Sequence, residues 1–148
     1  MDRSTSTVPI LVIDDDQDYR ILLRYQLEAA GYQVLESADG NTAYAVIGEQ
    51  GVQLVILDIV MPRIEGLEII RSLRRQGCRA KILAVSGAGK ADQYLKVAVR
   101  LGADARLEKA SPARDLLVAV ERLIGLPGTL SRVSLRRRGQ HPEAERQE

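Results

Sequence analysis

Short unbroken apolar runs alternate along this chain with longer stretches of helical spacing. Residues 10–13 (ILVI), 54–57 (LVIL) and 82–85 (ILAV) are continuously apolar, and each run stops at a polar residue, Asp14, Asp58 or Ser86. Residues 33–37 and 105–107 are weaker strand candidates, the second leading into Glu108 and Lys109. Between them lie five segments with apolar positions three and four apart, at 19–30, 41–49, 67–75, 92–101 and 112–124. The first four are ended by a glycine (Gly31, Gly51, Gly77, Gly102), a usual helix stop, and Pro112 suits the first turn of the last. The stretch 61–66, with Pro62, reads as a loop, as does 87–89. The pattern is βα five times. Strands apolar along their whole length are buried on both faces, so the expected fold is α/β, a five-stranded parallel sheet flanked by five helices, flavodoxin-like and doubly wound.

Composition narrows the chemistry. The 148 residues are 45% hydrophobic, enough for one domain with a core of its own. Lys plus Arg is 21 and Asp plus Glu is 20, for a net charge of +1, which argues against nucleic acid as the partner. Five Tyr with no Phe or Trp make no stacking platform for bases. The single Cys78 excludes an internal disulfide and a Cys-based zinc site, and the single His141 excludes a His metal cluster. No signal peptide or membrane span is visible, so the expected location is the cytoplasm. Residues 1–8 are expected to be a flexible N-terminus and 9–125 the domain. The remainder, 126–148, is expected to be a basic, polar, flexible tail whose Arg136, Arg137 and Arg138 are solvated. Arg71, Arg74 and Arg75 read as a solvated helix face.

In a parallel sheet, chemistry sits at the carboxyl ends of the strands. With strand order 2-1-3-4-5, Asp14, Asp15 and Asp16, then Asp58, Ser86 and Lys109, meet at one crevice. Asp16 is best read as a helix N-cap. Clustered carboxylates repel and need a cation to stay ionised, and oxygen ligands without His or Cys favour Mg²⁺ over Zn²⁺. A carboxylate is also a nucleophile toward phosphorus. Lys109, Ser86 and a divalent ion would together match the three oxygens of a transferred phosphoryl group. There is no obvious base for fast hydrolysis.

The segments ILVIDDDQDYR, LVILDIVMPRIEGLEIIRSLR, ILAVSGAG and LEKASP resemble the receiver domain of bacterial two-component response regulators. The resemblance covers residues 9 to about 124. It implies a signalling protein rather than an enzyme, with at most slow autodephosphorylation. It implies Asp58 as phosphoacceptor, with Ser86 and Lys109 beside the phosphoryl group. Mg²⁺ would be held by Asp14, Asp15, Asp58 and the Val60 backbone carbonyl, Asp15 directly and Asp14 mainly through water. The donor would be a sensor histidine kinase or a His-containing phosphotransfer protein, and the output contact with a downstream protein target. A homodimer stays open, and no second domain is expected.

Some residues depart from the family pattern. Lys109 is followed by Ala110 rather than Pro, which predicts a trans peptide and a less firmly placed lysine. Arg106 stands where a switching aromatic is usual, and is expected to pair with an acid such as Asp104 or Glu108, or with a partner. Val60 and Ala88 cannot orient an attacking water by hydrogen bonding. Two alternatives compete with the receiver. One is a pseudo-receiver scaffold that works without phosphorylation. The other is an Asp-nucleophile phosphatase of haloacid-dehalogenase type, from the D-x-D of Asp14–Asp16. Asp18 stands where that family has Thr or Val, and no cap domain is visible.

Overall fold

A computed structural model describes residues 8–60, 65–87 and 91–127. The expectations for 1–7, 61–64, 88–90 and 128–148, including Ala88, Arg136 to Arg138 and His141, lie outside the described residues. The elements run β1 (Pro9–Ile13), α1 (Gln17–Ala29), β2 (Gln33–Ser37), α2 (Ala43–Gln50), β3 (Leu54–Asp58), α3 (Glu65–Arg75), β4 (Lys81–Ser86), α4 (Ala91–Leu101), β5 (Ala105–Glu108) and α5 (Ala113–Ile124). All strand pairs are parallel, in the order β2-β1-β3-β4-β5. This is the doubly wound α/β fold expected from the alternation of apolar runs and helical spacing.

The sheet is covered on both faces. Alternate residues of the central strands feed two cores. Leu11, Ile13, Val55, Leu57, Ile82 and Ala84 pack with Ile47 of α2, Ile70 and Leu73 of α3 and Leu95 and Ala98 of α4. Ile10, Val12, Leu54, Ile56, Leu83 and Val85 pack with Leu23 and Leu27 of α1 and Leu116 and Val120 of α5. Polar groups are therefore excluded from the faces and collect at the rim.

Helix starts differ from the periodicity reading, each for a local reason. Helix α1 begins at Gln17, because Asp16 caps it by accepting from the Tyr19 N–H at 3.2 Å. Helix α2 begins at Ala43, since Asn41 is held in a turn, its N–H donating to Asp39 Oδ1 at 2.9 Å. Pro112 is the cap of α5, with an extended ψ of 155°, and not its first helical residue. Gly66 was expected in a loop but lies in α3. A side chain there would strike the Asp58 carbonyl and the Ile59 backbone, so its smallness sets a close approach rather than a break.

Arg74 corrects the reading of a solvated arginine. Its guanidinium donates to the carbonyls of Gly102 (2.9 Å), Cys78 (2.8 Å) and Ala80 (2.9 Å), and to Asp104 Oδ2 (2.8 Å). Asp104 Oδ2 also accepts from the Ile82 N–H at 2.9 Å. This knot ties the end of α3 to the α3–β4 and α4–β5 connections.

Candidate active site at the carboxyl ends of the strands

The register pairs Ile13 with Leu57, which sets Asp14 beside Asp58. Ser86 pairs with Glu108, and the Lys109 N–H donates to the Ser86 carbonyl at 3.0 Å. Four neighbouring strands thus deliver Asp14, Asp58, Ser86 and Lys109 to one place. All but Lys109 are buried: Asp14 is 1% exposed, Asp58 4% and Ser86 0%. Asp15, two residues past the β1 end, is exposed.

Each acid is fixed by its own backbone. Asp14 Oδ1 accepts from the Asp16 N–H at 2.9 Å, and Asp58 Oδ1 accepts from the Val60 N–H at 3.0 Å. Arg20 donates to the Asp14 carbonyl at 2.6 Å and to Glu36 at 3.1 Å, clamping the turn that carries the acids. The other oxygens face inward. Lys109 Nζ lies 2.7 Å from Asp14 Oδ2 and 3.2 Å from Asp58 Oδ2, bridging the two.

Burial pushes the Asp14 carboxyl up to about 6, helped by the neighbouring Asp58 charge and opposed by Lys109 and the Asp16 N–H. Burial draws the Lys109 ammonium down, but Asp14 and Asp58 outweigh it and hold the group above its ordinary value. The lysine therefore stays a cation and answers only part of the negative charge.

The donor set suits a hard divalent ion. One carboxylate oxygen from each of Asp14, Asp15 and Asp58 can be chosen so that all lie within 4.8 Å of one another. Asp14 Oδ2 is buried and accepts no well-aligned hydrogen bond, its approach to Lys109 being an ion-pair contact. A buried, ionised oxygen with that deficit is what a cation would satisfy.

Three residues that sequence reasoning left aside also shape the site. The Tyr19 ring lies 4.5 Å from Lys109 Nζ. Gly87 makes room for the lysine stem, since a Cβ there would sit 3.2 Å from Lys109 Cδ. Arg20 supports Asp14. Only the place of Tyr19 and Arg20, in the first turn of a helix that follows the acids, could have signalled this.

The Lys109–Ala110 peptide is trans, as expected without proline. The lysine is nonetheless enclosed by two carboxylates, an aromatic ring and the Gly87 backbone. Arg106 pairs with neither Asp104 nor Glu108. It donates to Asp92 Oδ1 on α4 at 3.2 Å, because Asp104 is already taken by Arg74.

The response regulator receiver domain model matches residues 10–121. The alkaline phosphatase synthesis transcriptional regulatory protein PhoP of Bacillus subtilis is 32% identical over 116 residues, 78% of this chain and 48% of that protein. The receiver domain of NtrX from Brucella abortus superposes with a TM-score of 0.71 at 31% identity, covering 77% of this chain and 96% of that one. The BeF3-activated N-terminal receiver domain of RstA from Klebsiella pneumoniae gives 0.71 at 25% identity, covering 78% and 97%. The chain spans about half the length of the curated relatives it matches.

Proposed function

Because this chain belongs to the response regulator receiver domain family, we propose that Asp58 accepts a phosphoryl group and that the phosphorylated form signals by protein contact. The observation that carries this reading is the Lys109 ammonium bridging Asp14 and Asp58 beside a buried Ser86. Residues 9–125 form the proposed working unit, and the proposal asks nothing of a second domain. The family is one of signalling proteins, and turnover of a separate substrate is no part of the role. Among the described residues no helix is long and apolar enough to cross a membrane, and we place the action in the cytoplasm.

In the proposed reaction an Asp58 carboxylate oxygen attacks phosphorus. The P–N bond of a phosphohistidine breaks, and the electron pair leaves with the donor's imidazole. The product is an acyl phosphate on Asp58. Lys109 exchanges its contact with an Asp58 oxygen for one on the phosphoryl group, and the Ser86 hydroxyl supplies a further hydrogen bond. Asp14, Asp15, Asp58 and the Val60 carbonyl would hold Mg²⁺, which neutralises charge on the transferring oxygens. The donor class is a sensor histidine kinase or a His-containing phosphotransfer protein, and the reader a downstream protein or a second copy of the chain.

Intact-protein mass spectrometry after incubation with phosphoramidate tests this directly. We expect one added phosphoryl group in wild type, dependent on Mg²⁺ and absent from Asp58→Asn. Unmodified wild type, under conditions where a control receiver reacts, would favour a scaffold that acts without phosphorylation.

A further inference from the structure

Lys109 has two kinds of neighbour. Asp14 and Asp58 hold its charge, but both are committed elsewhere in the proposed reaction. Asp14 belongs to the ion site, and Asp58 becomes an acyl phosphate. In that reaction the Asp58 contact is given up to the phosphoryl group. The remaining neighbours are not consumed. Gly87 lets the stem pass close to the backbone, with room for no Cβ at ordinary contact. The Tyr19 ring lies 4.5 Å from Nζ, inside the range of a cation–π contact.

Tyr19 is itself held in place. Its N–H is bound by the Asp16 cap at 3.2 Å, and its side chain packs against the core shared by α1 and α5. An aromatic face attracts an ammonium without carrying a net charge. It therefore restrains the cation without competing with a phosphoryl oxygen for it. The usual proline after the lysine is absent here, and the restraint comes from a different element.

We propose that Tyr19 is a positioning residue for Lys109, its ring holding the ammonium in place while the carboxylates exchange partners. This rests on the phosphoacceptor reading for its effect on rate, but not for the contact itself. The contact is structural, and the hydroxyl plays no part in it.

Two measurements on the full chain separate these. The first is the Lys109 ε-methylene proton shift in the unphosphorylated protein, assigned by its loss in Lys109→Arg. A ring face over the ammonium moves it upfield of the other three lysines. We expect the displacement to persist in Tyr19→Phe and to vanish in Tyr19→Leu. The second is the rate of single phosphorylation by phosphoramidate with Mg²⁺. We expect Tyr19→Leu to fall roughly three- to thirtyfold, and Tyr19→Phe to stay within about twofold of wild type, the range a cation–π contact spans. An ordinary Lys109 shift in wild type overturns the proposal even if Tyr19→Leu does not fold. So does a Tyr19→Leu rate equal to wild type. If wild type takes up no phosphoryl group, the phosphoacceptor reading fails while the shift still decides the contact.

Discussion

Asp14 is kept as a carboxylate where burial favours the protonated acid, and its pKa is lifted to about 6. For an acid raised on folding, the cost of ionisation is absent below the ordinary value and fully present above the raised one. Two pH units correspond to on the order of 2–3 kcal/mol. In EDTA at pH 7.5, Asp14→Asn is therefore expected to stabilise the fold by about 1–3 kcal/mol. At pH 4.5 most of that gain should be gone, because wild-type Asp14 is then largely protonated when folded. Adding Mg²⁺ should raise the melting point of wild type and leave the variant unmoved. Thermal melts at both pH values decide it, and a variant less stable than wild type at pH 7.5 refutes the idea. Asp14, Asp58, Ser86 and Lys109 were legible because each ends or follows an apolar run. Tyr19 was not, because a tyrosine at helical spacing has the same signature whether it packs on a core or covers an ammonium. Arg106 pairs with an acid as expected, but the examples Asp104 and Glu108 are near it in sequence, whereas Asp92 is brought near only by the packing of α4 against β5.

Among the elements, α3 makes a close approach to the strand end that carries Asp58. Gly66, in its first turn, lies against the Ile59 backbone and the Asp58 carbonyl, where no flexible side chain can give way. Gly66→Ala is expected to cost about 1–3 kcal/mol by overpacking, and to displace the strand end that carries Asp58. Gly48, inside α2, has nothing within 4 Å of an added Cβ. Gly48→Ala should be stabilising by about 0.5–1 kcal/mol, since alanine is the better helix former. Urea denaturation of the pair checks both signs, and equal effects would refute the close-approach argument. Element existence and order were readable because buried parallel strands are short and wholly apolar. The start of α1 was legible only through Asp16 as an N-cap, and that of α2 was not, because Asp39 sets it through a hydrogen bond that carries no periodicity. Gly66 was misread for the related reason that glycine marks both a turn and a tight contact.

Across the whole molecule, the two ends of the fold are tied by Tyr32. Its hydroxyl donates to the Gly125 carbonyl at 2.7 Å, joining the turn after α1 to the end of α5 across 93 residues of sequence. The Pro127 ring lies beside Gly31, whose φ of 103° admits no ordinary side chain. Tyr32→Phe should keep the buried ring and lose the bond, at a cost of about 1 kcal/mol. A urea midpoint unchanged from wild type would show the tie to be idle. The parallel sheet was expected from βα repetition, and the crevice from strand-end polarity once the order 2-1-3-4-5 was taken, which is the order observed. The Tyr32 tie and the Arg74 knot were not, because each joins groups that only the finished fold brings together.

The distribution of the site over four strand ends has a consequence for synthesis. The three clustered acids are in place on β1 and β3, but Lys109 follows β5, 51 residues after Asp58. A ribosome-bound chain that has emerged only as far as Ser86 holds all the carboxylates and none of their counter-cation. The unfinished polypeptide thus lacks a charge that the completed site supplies, and chemical competence coincides with the arrival of the last strand. Phosphoryl transfer at this crevice, as proposed, would therefore wait for the finished domain.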